Sequence, residues 1–513
     1  MSQQQPSNEF DTEPETPSAP TGQPEKGIQN ILETPPFPLN YPELWDVTKL
    51  LIKSAVPTAL TFIVGTLTGL SSLKFVGTYG TAAELAGASF GYTWVNIFCL
   101  GFFFSIDQGF SVIASRLFGA NKHGELGVLY QRNVCIIMTL AVPLIISLIF
   151  TDNILIGLGL DYETSINTGI FLRHLIPCII SAALFNSTRY FLMAQNIFNV
   201  QSIILAILTP FHFFWTWLFV AKFEMVVSGA AIAKSITDTC AVVALILYIK
   251  YSNCCKESWI PWSMECLKGW TSHLKQTLTI GANLYVEWIS YELSMLFIGL
   301  LNNKYVLGAH GMAISFTTSV FMLPLGTTVS MHTYIGNAVG EGSVYKSQKI
   351  LLCGLSINSV VAFVNTFLMV FCNKAISEFF ISDPESANAL SNMLFIYGLA
   401  HMPDVYTNAL GGILRIIGRE KEVLTAFFIC YFGLGSNMQW IFGVWAGFGY
   451  IAIWMSMATA ICVMFCVVLR KIQSLDWRKE IETVKKGMEG GHGKKVVVEK
   501  GINDDYIELK EMP

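Results

Sequence analysis

Apolar residues in this chain come in long blocks separated by short polar breaks. A helix needs about 20 residues to cross a bilayer core. Twelve blocks reach that length, at about 50–76, 84–118, 128–151, 165–192, 198–221, 226–249, 277–301, 307–337, 348–372, 387–413, 423–445 and 448–470. The second, fourth, eighth and tenth exceed it and are expected to tilt or project. The pattern predicts an all-α polytopic membrane protein. Its ends are polar: residues 1–47 and 473–513 read as disordered tails with too little apolar surface to offset ordering entropy. Residues 1–40 contain no apolar signal-peptide core, so the first span is expected to act as its own insertion signal.

Twelve is an even number, so both tails share one side. On that side the short breaks hold Arg116, Lys122, Arg132, Arg189, Lys250, Lys256, Lys268, Lys275, Lys346, Lys349, Arg415, Arg419 and Lys421. The other side holds Lys74, Lys222, Lys304 and Lys374. The positive-inside rule makes both termini cytosolic. The longest internal break, 251–276, is a cytosolic linker between a first half at 48–250 and a second at 277–472. The halves echo each other. Gly119 in VIASRLFGANKHGE matches Gly336 in VSMHTYIGNAVGEG, and Gly229 in SGAAIA matches Gly449 in FGYIAI. A duplicated unit of six spans keeps its orientation, so a pseudo-twofold axis along the membrane normal relates the halves. Parallel repeats of this kind are a transporter architecture.

Composition narrows the function. Only 13% of residues are charged and the net charge is −4, with no basic cluster among exposed aromatics, which sets nucleic acid aside. Most of the twelve cysteines lie in apolar runs and read as small hydrophobes. Cys254 and Cys255 have no second pair at metal-ligand spacing, so neither a metal nor a cofactor is expected.

The acids inside the spans carry the chemistry. A charged group at a helix centre costs roughly 2.5–3.5 kcal/mol on the mildest scales, so such residues are functional by default. YVEWISYELSMLFIGLL in the seventh span holds Glu287 and Glu292, about 140° apart around a helix. Trp288 and Tyr291 lie beside them and offer a flat face to a cation. LAHMPDVYTNALGG in the tenth span places His401, Asp404 and Asn408 on one face, with Pro403 freeing carbonyls nearby. Asp107 and Gln108 in the second span line the path or bond the eighth-span backbone; the sequence leaves both open. Lys234 and Asp238, four apart, read as a structural ion pair. Gly65/Gly69 and Gly336/Gly340 read as close-packing pairs.

Burial disfavours the charged form of a carboxylate, and a second acid nearby does so further. A carboxyl that loads and releases a proton within one cycle attracts an organic cation when ionised and frees it when protonated. The expected activity is therefore proton-for-cation exchange. A lipid-linked sugar flippase or a citrate-like anion exporter is the alternative cargo. An anion path needs cations inside the helices, and Arg173, Lys234 and Arg189 are the candidates. An intramembrane enzyme using His401 and Asp404 is the alternative class, but neither HExxH nor GxSxG is present.

These motifs together resemble the multidrug and toxin extrusion (MATE) family, in its eukaryotic branch, over about residues 48–472. VEWISYE is similar to the family's EWWxxE, and FVGTYGTAAELAGAS, DQGFSVIASRLFGA, FLMAQN and GGILRIIG fall at the expected places. FHFFWTWLFV and KYSNCCKESW resemble plant members more than animal ones. The resemblance implies two six-helix bundles around a V-shaped cavity and cation-coupled efflux of organic cations, xenobiotics or secondary metabolites. It carries the seventh-span glutamates onto Glu287 and Glu292, the tenth-span acid onto Asp404, and the histidine of animal members onto His401. Protons are the implied coupling ion, with sodium the alternative. The implied partners are the bilayer and small organic molecules, with the monomer as the working unit in a plasma, vacuolar or vesicular membrane. Two departures stand out. The first span has no acid, and Ser315 occupies the position of an eighth-span glutamate in animal members. Animal members also carry a thirteenth span that residues 473–513 do not supply.

Overall fold

A computed structural model describes residues 41–157 and 159–489. Among them every regular element is helical. The twelve spans are Tyr41–Tyr79, Ala82–Gly119, His123–Ile149, Tyr162–Ala194, Asn199–Lys222, Val226–Ser252, Trp270–Gly299, Lys304–Glu341, Val344–Phe371, Pro384–Ile416, 420–445 and Gly449–Gln473. Nine of these, among the described residues, are long and apolar enough to cross a membrane by composition alone. The seventh and tenth fall outside that set and carry the acids. The eleventh is broken by π-helical turns at Phe428–Ser436 and Gln439–Trp445.

Local chemistry sets the boundaries. Thr81 opens the second span with a reciprocal capping box: Glu84 N–H donates to Thr81 Oγ1 at 3.2 Å and Thr81 N–H to Glu84 Oε2 at 2.7 Å. Asp161 caps the fourth span through Thr164 N–H, and Asp383 caps the tenth through Ser386 N–H. These aspartates sit 222 residues apart (383 less 161). The short helices Thr151–Gly157 and Asn373–Phe380, which follow the third and ninth spans, start at the same spacing. The duplication read from glycines thus extends to caps and connectors.

Two parts of the tails differ from expectation. Residues 41–47 belong to the first span. Residues 477–489 form a further helix, Trp477–Glu489, which packs on the eighth and ninth spans. Its apolar positions Trp477, Ile481, Val484 and Met488 recur with helical spacing, so it has a stripe to bury. The remainder of both tails, 1–40 and 490–513, lies outside the described residues.

Lipid is as apolar as leucine, so helices in a membrane associate through close packing and polar contacts. Large apolar side chains such as Val360, Phe363, Phe371 and Ile207 face outward, while many serines, threonines and asparagines are buried. The halves meet along glycines. A Cβ on Gly281 of the seventh span would lie 1.8 Å from Ser105 O of the second, and one on Gly109 would lie 2.2 Å from Thr277 O. Towards the end where the first span begins and the twelfth finishes (the tail face), Gly119 abuts Asn337 O, and Gly340 abuts Arg116 O. The Gly336/Gly340 pair therefore packs as expected. Gly65 and Gly69 do not: a Cβ on either meets nothing within 4 Å.

This contrast makes a stability prediction. Gly281→Val drives a side chain into backbone and costs about 1–3 kcal/mol or more, lowering the unfolding temperature of the detergent-solubilised protein. Gly65→Ala leaves that temperature unchanged or raises it, because Gly in a helix interior is the worse helix former. Equal effects from the two variants contradict the assignment.

Candidate functional site

Glu287 and Asp404 come together inside the second half. Both are buried, and Asp404 is an electrostatic neighbour of Glu287. Tyr431, from the π-helical eleventh span, donates to Glu287 Oε1 at 3.1 Å. Tyr397, two turns before Asp404 on the tenth span, donates to Asp404 Oδ2 at 2.8 Å. Tyr291, one turn after Glu287, is an electrostatic neighbour of both acids. Three spans thus contribute two carboxyls and three phenols to one buried cluster. One turn before Glu287, Asn283 Oδ1 lies 3.4 Å from Arg415 Nη1, which brings a buried guanidinium to the same face.

His401 shares the tenth-span face but is engaged elsewhere. Its Nε2 lies 3.3 Å from Asn365 Nδ2 of the ninth span, and its ring packs against Phe321 and Tyr397. No hydrogen bond joins it to Asp404. Asn408 is buried one turn beyond Asp404. Glu292 is half-buried and not part of the two-acid cluster; its polar neighbour is Trp288. Trp288 packs edge-on against Phe104 of the second span, with centroids 6.4 Å apart, so it lies on the seam between the halves.

Asp107 resolves into the first half. Its Oδ1 accepts from Asn133 at 2.9 Å and from Ser187 at 2.6 Å, in the third and fourth spans, rather than meeting the eighth-span backbone. Gln108 beside it is half-buried. Lys234 and Asp238 form the expected ion pair at 2.6 Å, joined by Cys178 Sγ at 3.0 Å from Asp238. Ser315 is exposed and donates to its own helix at Gly311 O.

Arg116 and Arg415, read as loop charges, and Arg189, read both as a loop charge and as a cation inside a span, are buried within helices. Arg189 stacks its guanidinium 4.8 Å from the Phe62 and Tyr190 rings. Arg116 of the first half donates from Nε to Ile416 O at 2.8 Å and from Nη2 to Arg415 O at 2.6 Å in the second. These are carbonyls at the last turn of the tenth span, and a cation there also complements the helix dipole. Tyr397, Tyr431, Asn283 and Arg116 were absent from the sequence-derived site. Asn283 at four residues before Glu287 was the one signal in reach. Among the described residues, no group of three or more His, Cys, Asp or Glu is placed to hold a metal.

Comparison with known proteins agrees with this architecture. The MatE family model matches residues 57–218 and 280–441, one stretch in each half. Multidrug and toxin extrusion protein 1 of Danio rerio is 26% identical over 450 residues, covering 86% of this chain and 74% of the relative. Protein DETOXIFICATION 49 of Arabidopsis thaliana is 24% identical over 441 residues, covering 86% and 88%. Among solved structures, the eukaryotic MATE transporter AtDTX14 superposes with a TM-score of 0.82 at 20% identity, covering 86% of this chain and 99% of that one. The first-half match, the second-half match and the shared fold lead to one conclusion: this chain is an integral membrane protein that belongs to the MatE family of multidrug and toxin extrusion transporters.

Proposed function

We propose that this protein exports organic cations in exchange for protons by alternating access, with Glu287 and Asp404 as the exchanging groups. The observation that carries this reading is the pairing of two buried carboxyls, each accepting from a tyrosine hydroxyl. With the single Arg415 guanidinium nearby, two acids in one apolar site cannot both ionise without a further compensating cation. A proton or an organic cation can fill that role, and the two therefore compete. His401 and Asn408 line the same helix face as Asp404; Trp288 supplies aromatic surface at the seam. The relatives' names, multidrug and toxin extrusion, support an exported drug- or toxin-like cargo; its cationic character rests on the two acids, and the plasma membrane or a vacuolar or vesicular membrane is the proposed location.

The test is uptake of a fluorescent organic cation into acid-inside vesicles holding the purified protein. Uptake collapses when a protonophore is added and is indifferent to sodium. Protonophore-insensitive uptake overturns proton coupling. A second reading, organic-anion export, has one observation in its favour: Arg116, Arg189 and Arg415 are all buried within helices. Against it, Arg116 is engaged by carbonyls and Arg189 by aromatic rings. A fluorescent organic anion in the same assay separates the two.

A further inference from the structure

We propose that the helix Trp477–Glu489 is a latch that holds the two halves together at the tail face and must lift for that face to open. It follows the twelfth span after a short turn and touches both halves. Toward the second half, Arg419 grips Glu480 with two bonds, Nε at 3.1 Å and Nη2 at 2.6 Å to Oε1. Glu480 and Arg419 are both mostly covered, and the carboxylate holds the Arg419 guanidinium above its ordinary range. Ile481 is 2% exposed within the same apolar core that contains the eighth and tenth spans, and Val484 and Trp477 pack on it. Lys485 lies over Gly342 at the end of the eighth span. Toward the first half, Lys122 donates to Met488 O at 2.8 Å, at the last turn of the helix.

The helix therefore spans the line along which the halves separate. Beneath it lies the glycine seam of the second and eighth spans. Alternating access requires that seam to part, because the halves rock against each other around the site. A helix anchored to both halves cannot stay fully docked while they do. A part-buried, two-bond charge pair and one buried isoleucine favour the docked state without locking it. The device is independent of which ion or cargo the transporter uses.

The test places a cysteine in the seam. Thr333 on the eighth span is 2% exposed, one turn before Asn337. In a Thr333→Cys, Cys254→Ser protein, labelling by a membrane-impermeant maleimide applied from the tail face reports opening. Glu480→Lys is expected to raise the labelling rate about fivefold. Arg419→Glu added to Glu480→Lys restores it, because the pair is rebuilt with reversed sign. Ile481→Asp gives the same rise without touching the pair, and so does truncation after Asp476. Wild-type labelling in the truncated protein overturns the latch, as does failure of the double reversal to restore the rate. Because the assay requires no cargo, its outcome is separate from that of the uptake experiment.

Discussion

Glu287→Gln abolishes proton-driven uptake of a fluorescent organic cation while the protein folds normally. The amide is close in size to the carboxyl, and its oxygen can still accept from Tyr431 at the 3.1 Å contact. What it loses is the negative charge. Truncating one member of a buried charge pair costs 2–5 kcal/mol, so a central value of about 3 kcal/mol lowers cation affinity roughly a hundredfold. The variant also has no proton to give, so the residual uptake no longer follows the pH gradient. Asp404→Asn keeps the Tyr397 bond and has an effect in the same direction, since Asp404 acts on Glu287. Glu292→Gln is the discriminating control. Glu292 is half-buried and lies on another face of the seventh span, so its uptake stays within about threefold of wild type. Uptake by Glu287→Gln at the wild-type rate, or a loss in Glu292→Gln equal to that in Glu287→Gln, removes the two-acid cluster from the mechanism.

Part of this site could be read from sequence because an acid in an apolar run is conspicuous: Glu287 and Asp404 stand out in this way, and so does Glu292, which the fold leaves outside the cluster. Their partners were invisible for a physical reason. A tyrosine in a membrane helix is an ordinary residue, and Tyr431 meets Glu287 only because spans seven and eleven pack together. The arginines were misplaced for a related reason. Arg116 and Arg415 stand near the ends of apolar runs, where hydropathy assigns them to loops. Their burial depends on the other half folding over them. Glycine spacing shows the same limit. Gly65/Gly69 and Gly336/Gly340 have identical spacing, yet only the second pair has a helix against it. Spacing gives the face of a helix and says nothing of what covers that face. The helix at 477–489 was a different case: its apolar stripe was present in the sequence, but the charged composition around it concealed the stripe.

Arg116→Met opens the tail face and uncouples transport. Arg116 links the halves with two charge-assisted bonds to carbonyls at the last turn of the tenth span. Carbonyls at a helix's last turn lack the usual intrahelical donor, and here Arg415 O also accepts from Gly418 N–H at 3.2 Å. Methionine matches much of the apolar length of the side chain but takes the donor from Ile416 O and leaves Arg415 O to its backbone contact with Gly418 N–H. A hydrogen bond to a charged group is worth about 1.5–3 kcal/mol net, and about 3 kcal/mol for the clamp shifts the open-to-closed ratio by roughly two orders of magnitude. Labelling of Thr333→Cys from the tail face is therefore expected to rise about a hundredfold, well beyond the effect of undocking the Trp477–Glu489 helix. Cation uptake falls, because the state that releases cargo on the far side is no longer held. The clamp also bears on the acids. It fixes the backbone of Arg415, whose guanidinium reaches Asn283 one turn from Glu287. Parting the seam thus moves a buried cation relative to the carboxyl it faces, which ties opening of the tail face to the charge state of the site. Arg116→Lys tests that link: a single ammonium keeps the charge but cannot span both carbonyls, so labelling rises by an intermediate factor. Labelling of Arg116→Met at the wild-type rate removes the clamp from the gate.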